Sequence, residues 1–166
     1  MPLLDIPAGH LGTVVSFLEM TERPRPRPLP DAPLRLVRWA APEPDKYRTL
    51  FRRVGGPWLW YSRLAMDDAT LLANIAEVHA VVDRRGVEIG MLEVNFRKAG
   101  ECLVRFLGLV PELAGRGHGK WLFAQLAALA WRPGVGRVHL TTCTLDPCGR
   151  SSFLSEGRLS RVPAGV

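Results

Sequence analysis

Hydrophobic and polar positions follow two spacings along this chain, one typical of strands and one typical of helices. Residues 34–39 alternate between apolar and polar side chains, which predicts a strand. Residues 46–54 place their apolar side chains three and four positions apart, which predicts a helix with one buried face. The side chains on that face are Tyr47, Leu50, Phe51 and Val54. An Asp67-Asp68 pair can cap a second helix over residues 69–76.

Three further strands are predicted in a row, at residues 78–83, 87–96 and 102–110. Short sequences that end in glycine separate them, which favours an antiparallel meander. A long apolar helix over 120–131 and a last strand over 137–142 follow. This order of elements predicts a mixed α/β (α+β) fold.

The two ends of the chain lack this patterning. Residues 1–33 contain an Arg-Pro repeat at 23–30 and are predicted to form a disordered, proline-rich leader. Met20 stands just before that repeat and is a plausible start of translation. The folded region is predicted to cover residues 34–146, and the tail 147–166 has neither helical nor strand periodicity.

Composition sets limits on the class of protein. The chain is 47% hydrophobic and 23% charged, as in soluble globular proteins. Its longest apolar run is too short to cross a bilayer, and its first residues do not resemble a secretory signal. We therefore expect a cytoplasmic protein without a membrane partner.

Cysteines and charge narrow the range of ligands. The cysteines, Cys102, Cys143 and Cys148, are odd in number and lack the spacing of metal ligands, which indicates reduced thiols and no metal. The net charge of +6 comes from scattered basic residues without a nucleic-acid recognition motif. We expect no nucleic-acid partner, and the basic excess suits a polyanionic ligand.

A glycine-rich loop lies between the last meander strand and the long helix. Gly115, Gly117 and Gly119 occupy alternate positions there. Main-chain N–H groups without covering side chains, placed at the positive end of a helix dipole, favour binding of a phosphate-bearing ligand.

Spacing excludes two kinds of nucleotide loop. A Walker loop needs a glycine separated by four residues from its Gly-Lys pair and Ser or Thr after the pair, but Ala114 and Trp121 stand there. A dinucleotide fingerprint needs a third glycine where this chain has Lys120, and it follows a βαβ unit, not hairpins.

The segment 109–119, Leu-Val-Pro-Glu-Leu-Ala-Gly-Arg-Gly-His-Gly, resembles the acyl-CoA loop of the GNAT superfamily of N-acetyltransferases. That loop reads V-x-P-E-x-(Q/R)-G-x-G-x-G between a strand and a long helix, and Ala114 replaces its Gln or Arg. The segments Trp58-Leu-Trp60, Gly90-Met-Leu-Glu93 and 142–146 are similar to a small bacterial subgroup. The resemblance implies the GNAT fold, a mostly antiparallel sheet flanked by helices.

The resemblance also implies a reaction, transfer of an acetyl group from acetyl-CoA to a primary amine by direct attack through a tetrahedral intermediate. Glu93 is the candidate general base, and the Leu109 N–H would stabilise the oxyanion. The implied cofactor-binding residues are Leu109, Ala114, Gly115, Arg116, Gly117, His118, Gly119 and Lys120. The acceptor would be a small-molecule or peptide amine, and a homodimer stays open. The aromatic residues Trp58, Trp60 and Tyr61 fit either a wall of the acceptor pocket or plain core packing.

The chain departs from the GNAT pattern after Asp146. Family members continue with a helix that carries a Tyr, an A-G-F turn and two more strands. Permitted codons for the tail, read one base later, give P-A-A-V-R-P-F-Y-Q-K-A-G-F-R-V-Y-R-R, which predicts a frameshift near Asp146. We therefore expect the C-terminal helix and last two strands to be missing and a sheet edge to be exposed. Two functions stay open, an active N-acetyltransferase and an impaired GNAT-fold remnant that at most binds CoA.

Overall fold

A seven-stranded sheet organises the protein. The computed structural model describes residues 5–25, 28–146 and 159–162. The strands are β1 (Val15–Met20), β2 (Arg35–Arg38), β3 (Glu77–Val82), β4 (Glu88–Asn95), β5 (Glu101–Leu109), β6 (Arg137–Cys143) and β7 (Ser160–Val162). The helices are α1 (Pro44–Gly55), α2 (Asp68–Asn74) and α3 (His118–Ala130), with short 3-10 turns at Gly56–Trp58 and Pro111–Leu113. Within the described ranges, no helix has the length and apolar character needed to span a membrane.

Strand β2 pairs antiparallel with β3, and strands β3 to β5 form the predicted antiparallel meander. The turns between them contain Gly86 and Gly100, whose φ angles of +80° and +78° lie in the left-handed region that glycine tolerates. Each helix and strand predicted between residues 34 and 142 is present, with bounds shifted by a few residues. The mixed α/β fold class is confirmed.

The sheet is covered on both faces, so its central strands carry buried apolar side chains on both sides. Helix α3 packs on one face through Trp121, Leu122 and Leu126. Helices α1 and α2 pack on the other. Met91 and Leu92 are neighbours on β4, are both 0% exposed, and belong to the two different cores because successive strand side chains point to opposite faces.

Strands β5 and β6 are parallel and separate along their length. Helix α3 is the crossover that joins them, as parallel pairing requires. Their pairing runs only from Glu101↔Arg137 to Val104↔Leu140. Both strands continue beyond that point, so their carboxyl-terminal halves diverge and leave a gap in the sheet.

The prediction that residues 1–33 lie outside the folded region is wrong for β1. This strand pairs antiparallel with the whole of β6, and Met20 is 1% exposed in the core beneath α3. Arg137 Nε donates a 2.6 Å hydrogen bond to Glu19 Oε2, 118 positions away in sequence. Because the partner strand is so distant, local hydrophobic spacing does not reveal this pairing.

Strand β7 pairs with the outer side of β1, and the sheet order is β2-β3-β4-β5-β6-β1-β7. The expected exposed edge at β6 is therefore wrong, because β1 covers it. Residues 160–162 also form a strand despite their lack of pattern. The missing C-terminal helix and the frameshift concern residues 147–158 and 163–166, which lie outside the described residues.

We predict that a chain restarted at Met20 is much less stable than the full chain. This deletion removes the pairing of residues 15–19 with β6 and uncovers the β6 edge. We expect a fall in Tm on the order of 10 °C, or aggregation, since each kcal/mol corresponds to roughly 2–4 °C at this chain length.

Deletion of residues 1–11 is the matched control. It leaves β1 whole, together with the 3.0 Å hydroxyl contact between Thr13 and Thr144. The control should melt within about 2 °C of the full chain in a thermal scan. Equal melting of both deletions and the full chain would contradict a structural role for β1.

Candidate active site

The glycine-rich loop has the backbone geometry of an anion site. After β5, the 3-10 turn Pro111–Leu113 leads through Ala114 to α3, which begins at His118 with Gly117 as its N-cap. Gly115 and Gly117 have φ angles of +74° and +77°. A Cβ at either position would meet no atom within 4 Å, so the left-handed backbone, not lack of space, requires glycine.

At the start of α3, the N–H groups of Gly117, His118 and Gly119 make no hydrogen bond within the part of the chain that the structure describes, whereas the Lys120 N–H donates to the Gly117 carbonyl at 3.2 Å. The first turn of any helix lacks intrahelical acceptors for its N–H groups, and no side chain caps this one. Residues 114–117 and 119–120 are exposed, and His118 is half-buried. Arg116 and Lys120 bring positive charge to the same end, where the helix dipole already favours an anion. The structure thus brings Ala114 through Lys120 together around one helix N-terminus.

Leu109 presents its N–H to the gap between β5 and β6. The N–H of the next residue, Val110, donates a 2.9 Å hydrogen bond to the carbonyl of Ile89 on β4. Successive N–H groups along an antiparallel strand point to opposite edges. The Leu109 N–H therefore points away from β4, towards the space that β6 leaves open.

A cleft of about 350 Å³ lies next to that space, lined on β5 by Val104 to Leu107 and not by Leu109 or the glycine-rich loop. Its walls are the diverging ends of β5 and β6, the segment that follows α1, and residues next to β1. Among the described residues that line it, Arg105 and Asp146 carry the charges. Asp146 Oδ2 accepts hydrogen bonds from Thr142 Oγ1 at 2.6 Å and from the Cys143 N–H at 3.0 Å, which fix this carboxylate at the end of β6.

Residues 58–62 form one wall of the cleft, called the aromatic wall below. The Trp60 ring packs 5.4 Å from Phe51 and 5.2 Å from Phe106, measured between ring centroids. Tyr61 is 75% exposed. Trp60 therefore packs against the core and also lines the cleft, whereas Trp58 and Tyr61 line the cleft without belonging to a core cluster. That this cleft takes the acceptor stays a prediction.

Two glycines make room for the Trp60 ring. A Cβ at Gly55 would lie 2.3 Å from Trp60 ring atoms. A Cβ at Gly108 would lie 2.8 Å from Val54 Cγ1 and 3.3 Å from the Trp60 ring. The sequence did not indicate these positions, because a glycine at a helix end or in a strand does not reveal which distant side chain packs against it.

Glu93 lies beneath the site and not in the cleft. Its side chain is 0% exposed and is paired with Arg63, also 0% exposed, at 2.9 Å. The Tyr47 hydroxyl donates a 2.5 Å hydrogen bond to its other oxygen. Burial, followed by the charge of Glu93, raises the pKa of Tyr47 far above its ordinary value, so the phenol stays a donor.

The sequence indicated no place in the site for Arg63, Tyr47 or Asp146. Tyr47 was predicted as part of the buried face of a helix, and Asp146 falls within a segment that carries the family resemblance. Arg63 follows the aromatic residues after Ser62, and a lone arginine there was the available signal. His139, to which the sequence gave no direct role, lies on β6 with its Nε2 3.3 Å from Glu101 Oε2.

Comparison with known proteins gives matches among solved structures alone. No family model matches the sequence, and no curated protein does. A GCN5-related N-acetyltransferase from Sphaerobacter thermophilus matches with a TM-score of 0.62 at 17% identity, over 89% of this chain and 48% of that one. An aminoglycoside acetyltransferase from an uncultured soil metagenomic sample, in complex with sisomicin, matches with a TM-score of 0.60 at 16% identity, over 81% and 93%.

A tandem GNAT protein from the clavulanic acid biosynthesis pathway also matches, with a TM-score of 0.60 at 16% identity, over 90% of this chain and 50% of that one. The chain thus spans about half the length of this protein and of the Sphaerobacter protein. These likenesses confirm the GNAT fold predicted from the glycine-rich loop and the order of elements.

We predict that Gly55→Ala displaces Trp60 from the aromatic wall. The added methyl overlaps the ring, and overpacking of this kind costs about 1–3 kcal/mol, or several degrees in Tm. Gly56→Ala is the matched control, because the neighbouring Cβ would meet nothing within 4 Å. The Trp60 indole N–H resonance, assigned with Trp60→Phe, should shift in the first variant and stay in place in the second. An unmoved resonance and an unchanged Tm in Gly55→Ala would contradict the close fit.

Proposed function

We propose that this protein is an N-acetyltransferase that moves the acetyl group of acetyl-CoA onto a primary amine. The observation that carries the proposal is the left-handed glycine loop at the N-terminus of α3, beside the gap between β5 and β6. This combination occurs in a chain with the fold of GNAT acetyltransferases. It joins an anion site to a cleft in which an acyl group and an amine can meet.

The loop suits the pyrophosphate of acetyl-CoA. The N–H groups of Gly115, Gly117, His118 and Gly119 would bind its oxygens, whereas the Ala114 and Arg116 N–H groups donate to the Pro111 and Leu113 carbonyls at 2.9 and 3.4 Å. The replacement of a family Gln or Arg by Ala114 leaves the main-chain groups in place. The open space at Gly115 and Gly117 lets the phosphate oxygens approach the backbone. Arg116 and Lys120 would add charge-assisted contacts.

The Leu109 N–H would act on the reacting carbonyl. From the loop, the pantetheine arm would run back along the end of β5, where β6 has diverged, and this would bring the thioester to Leu109. A donor fixed at this position stabilises the negative charge that develops on the carbonyl oxygen as the amine attacks. Attack by the neutral amine forms the C–N bond and a tetrahedral intermediate, and the C–S bond breaks as that intermediate collapses. The nitrogen loses one proton and the thiolate takes up one, so the products are an amide and the CoA thiol.

The amine must lose a proton before it attacks, since an alkyl ammonium with a pKa near 10 has no lone pair. Neither oxygen of Glu93 faces the cleft, so direct proton transfer to this residue does not follow from the geometry. Asp146 is the carboxylate that lines the cleft among the described residues, and we propose that it attracts the cationic acceptor.

We expect Gly117→Ala to weaken CoA binding about tenfold, equivalent to ~1.4 kcal/mol. Alanine disfavours the left-handed backbone that aims the loop. Gly134→Ala is the matched control, with a φ of +88° and open space around the Cβ, in the turn after α3. Calorimetric titration with CoA should show the loss in the first variant alone. Undetectable CoA binding by the unaltered chain would overturn the proposal.

A panel of amines tests turnover. Thiol release from acetyl-CoA should depend on the acceptor, and Asp146→Asn should raise KM roughly tenfold for amines that are cationic at pH 7. An aromatic amine that is neutral at pH 7 is the control and should keep its KM. CoA binding without thiol release from any amine would indicate the impaired remnant instead.

A further inference from the structure

A charged pair with no access to water lies behind the aromatic wall. Arg63 and Glu93 are each 0% exposed, and Arg63 Nη2 donates to Glu93 Oε1 at 2.9 Å. The desolvation free energy of burying both charges offsets much of their attraction, so such a pair contributes little net stability. The Nε of Arg63 is also buried with no partner among the described residues. Net stability therefore does not explain why Arg63 and Glu93 are buried together.

The pair joins three parts of the fold at one point. Arg63 Nη2 also donates to the Asn74 carbonyl at the end of α2, at 3.1 Å. Glu93 Oε1 accepts the Ala76 N–H at 3.3 Å, and Glu93 itself is on β4. Tyr47 brings in α1 through its 2.5 Å hydrogen bond to Glu93 Oε2. The Arg63 guanidinium carbon lies 5.3 Å from the centroid of the Phe106 ring, which lines the cleft.

The aromatic wall has little regular structure of its own. Between α1 and α2 the chain forms the 3-10 turn Gly56–Trp58 and a few turns. Leu59 has a φ of +55°, an unfavourable left-handed conformation for a residue with a branched side chain. Its backbone hydrogen bonds are those of turns. The Leu59 and Trp60 N–H groups donate to the carbonyls of Gly56 and Gly55 at the end of α1, and the Leu64 and Ala65 N–H groups donate to the Tyr61 carbonyl. A segment of this kind needs an anchor to hold a fixed position beside the substrate.

We propose that Arg63, held in place by Glu93, is a positioning residue that fixes the aromatic wall of the acceptor cleft. This inference rests on the proposed acetyltransferase function. Glu93 then supports the wall through Arg63 and does not accept the proton of the amine. Both of its oxygens accept hydrogen bonds from groups inside the protein, namely Arg63, Ala76 and Tyr47.

Glu93→Gln and Arg63→Met test the inference, with Glu88→Gln as the matched control. Glu88 is on the same strand and also pairs with a cation, Lys46 at 2.9 Å, but on the partly exposed side of the fold. Hydrogen exchange reports the wall without any need for activity. We expect amide exchange over residues 58–65 to speed up roughly tenfold or more in both test variants and to stay unchanged in the control.

Kinetics distinguish positioning from proton transfer. Both test variants should raise the amine KM about fivefold or more, with kcat within about threefold and the same pH profile as the unaltered chain. CoA affinity should not change. A kcat loss of a hundredfold or more in Glu93→Gln alone, with the acidic limb of the pH profile lost, would overturn the inference and make Glu93 the general base.

Tyr47→Phe keeps the exchange test usable if the first variants fold poorly. It removes one hydrogen bond to Glu93 and leaves the ion pair, so we expect a smaller increase in exchange at the same residues. Unchanged exchange over 58–65 in all three variants would overturn the inference. If the unaltered chain neither binds CoA nor releases thiol, the proposed function fails, while the exchange data still decide whether the pair anchors the wall.

Discussion

The divergence of β5 from β6 is the constraint on which the candidate site depends. Parallel pairing holds these strands together only from Glu101↔Arg137 to Val104↔Leu140. Beyond it the Leu109 N–H points into open space, and the two strand ends form the sides of a cleft. The same crossover carries α3, so the glycine loop lies next to the end of β5. One separation of strands thus accounts for the direction of the Leu109 N–H and for the cleft, and the proposed acetyl transfer uses both.

The remaining wall of the cleft depends on buried interactions and not on backbone pairing. Trp60 fits against Gly55 and Gly108, which leave no room for a Cβ. Behind it, the Arg63–Glu93 pair ties the same segment to β4 and to the end of α2. Aromatic packing and the ion pair restrain different ends of the wall, which explains how an irregular segment with a left-handed Leu59 keeps one position. Among the described residues that line the cleft, Arg105 and Asp146 are charged.

Local sequence pattern predicted those parts of the structure whose signals are local. The alternating strands of the meander, the apolar face of α1 and the glycines of the loop each carry their information within a few residues. Strand β1 was missed because its hydrogen bonds go to β6, more than a hundred positions later, and a proline-rich stretch follows it. The general-base role of Glu93 was an implication of the family resemblance. Because residues 90–94 are all buried, the pattern of apolar and polar positions could not show what surrounds the Glu93 side chain. Its partner Arg63 is 30 positions away and belongs to no regular element.

Amide resonances of isotope-labelled protein, followed during titration with CoA and acetyl-CoA, report on the loop and the strand end together. We expect saturable shifts of the N–H signals from Ala114 to Gly119 with both ligands, and a further shift of the Leu109 N–H that needs the acetyl group. The indole signal of Trp60 should respond to an amine acceptor and not to CoA alone. Saturable binding that leaves the 114–119 and Leu109 signals unmoved, or no binding at all, would contradict the account.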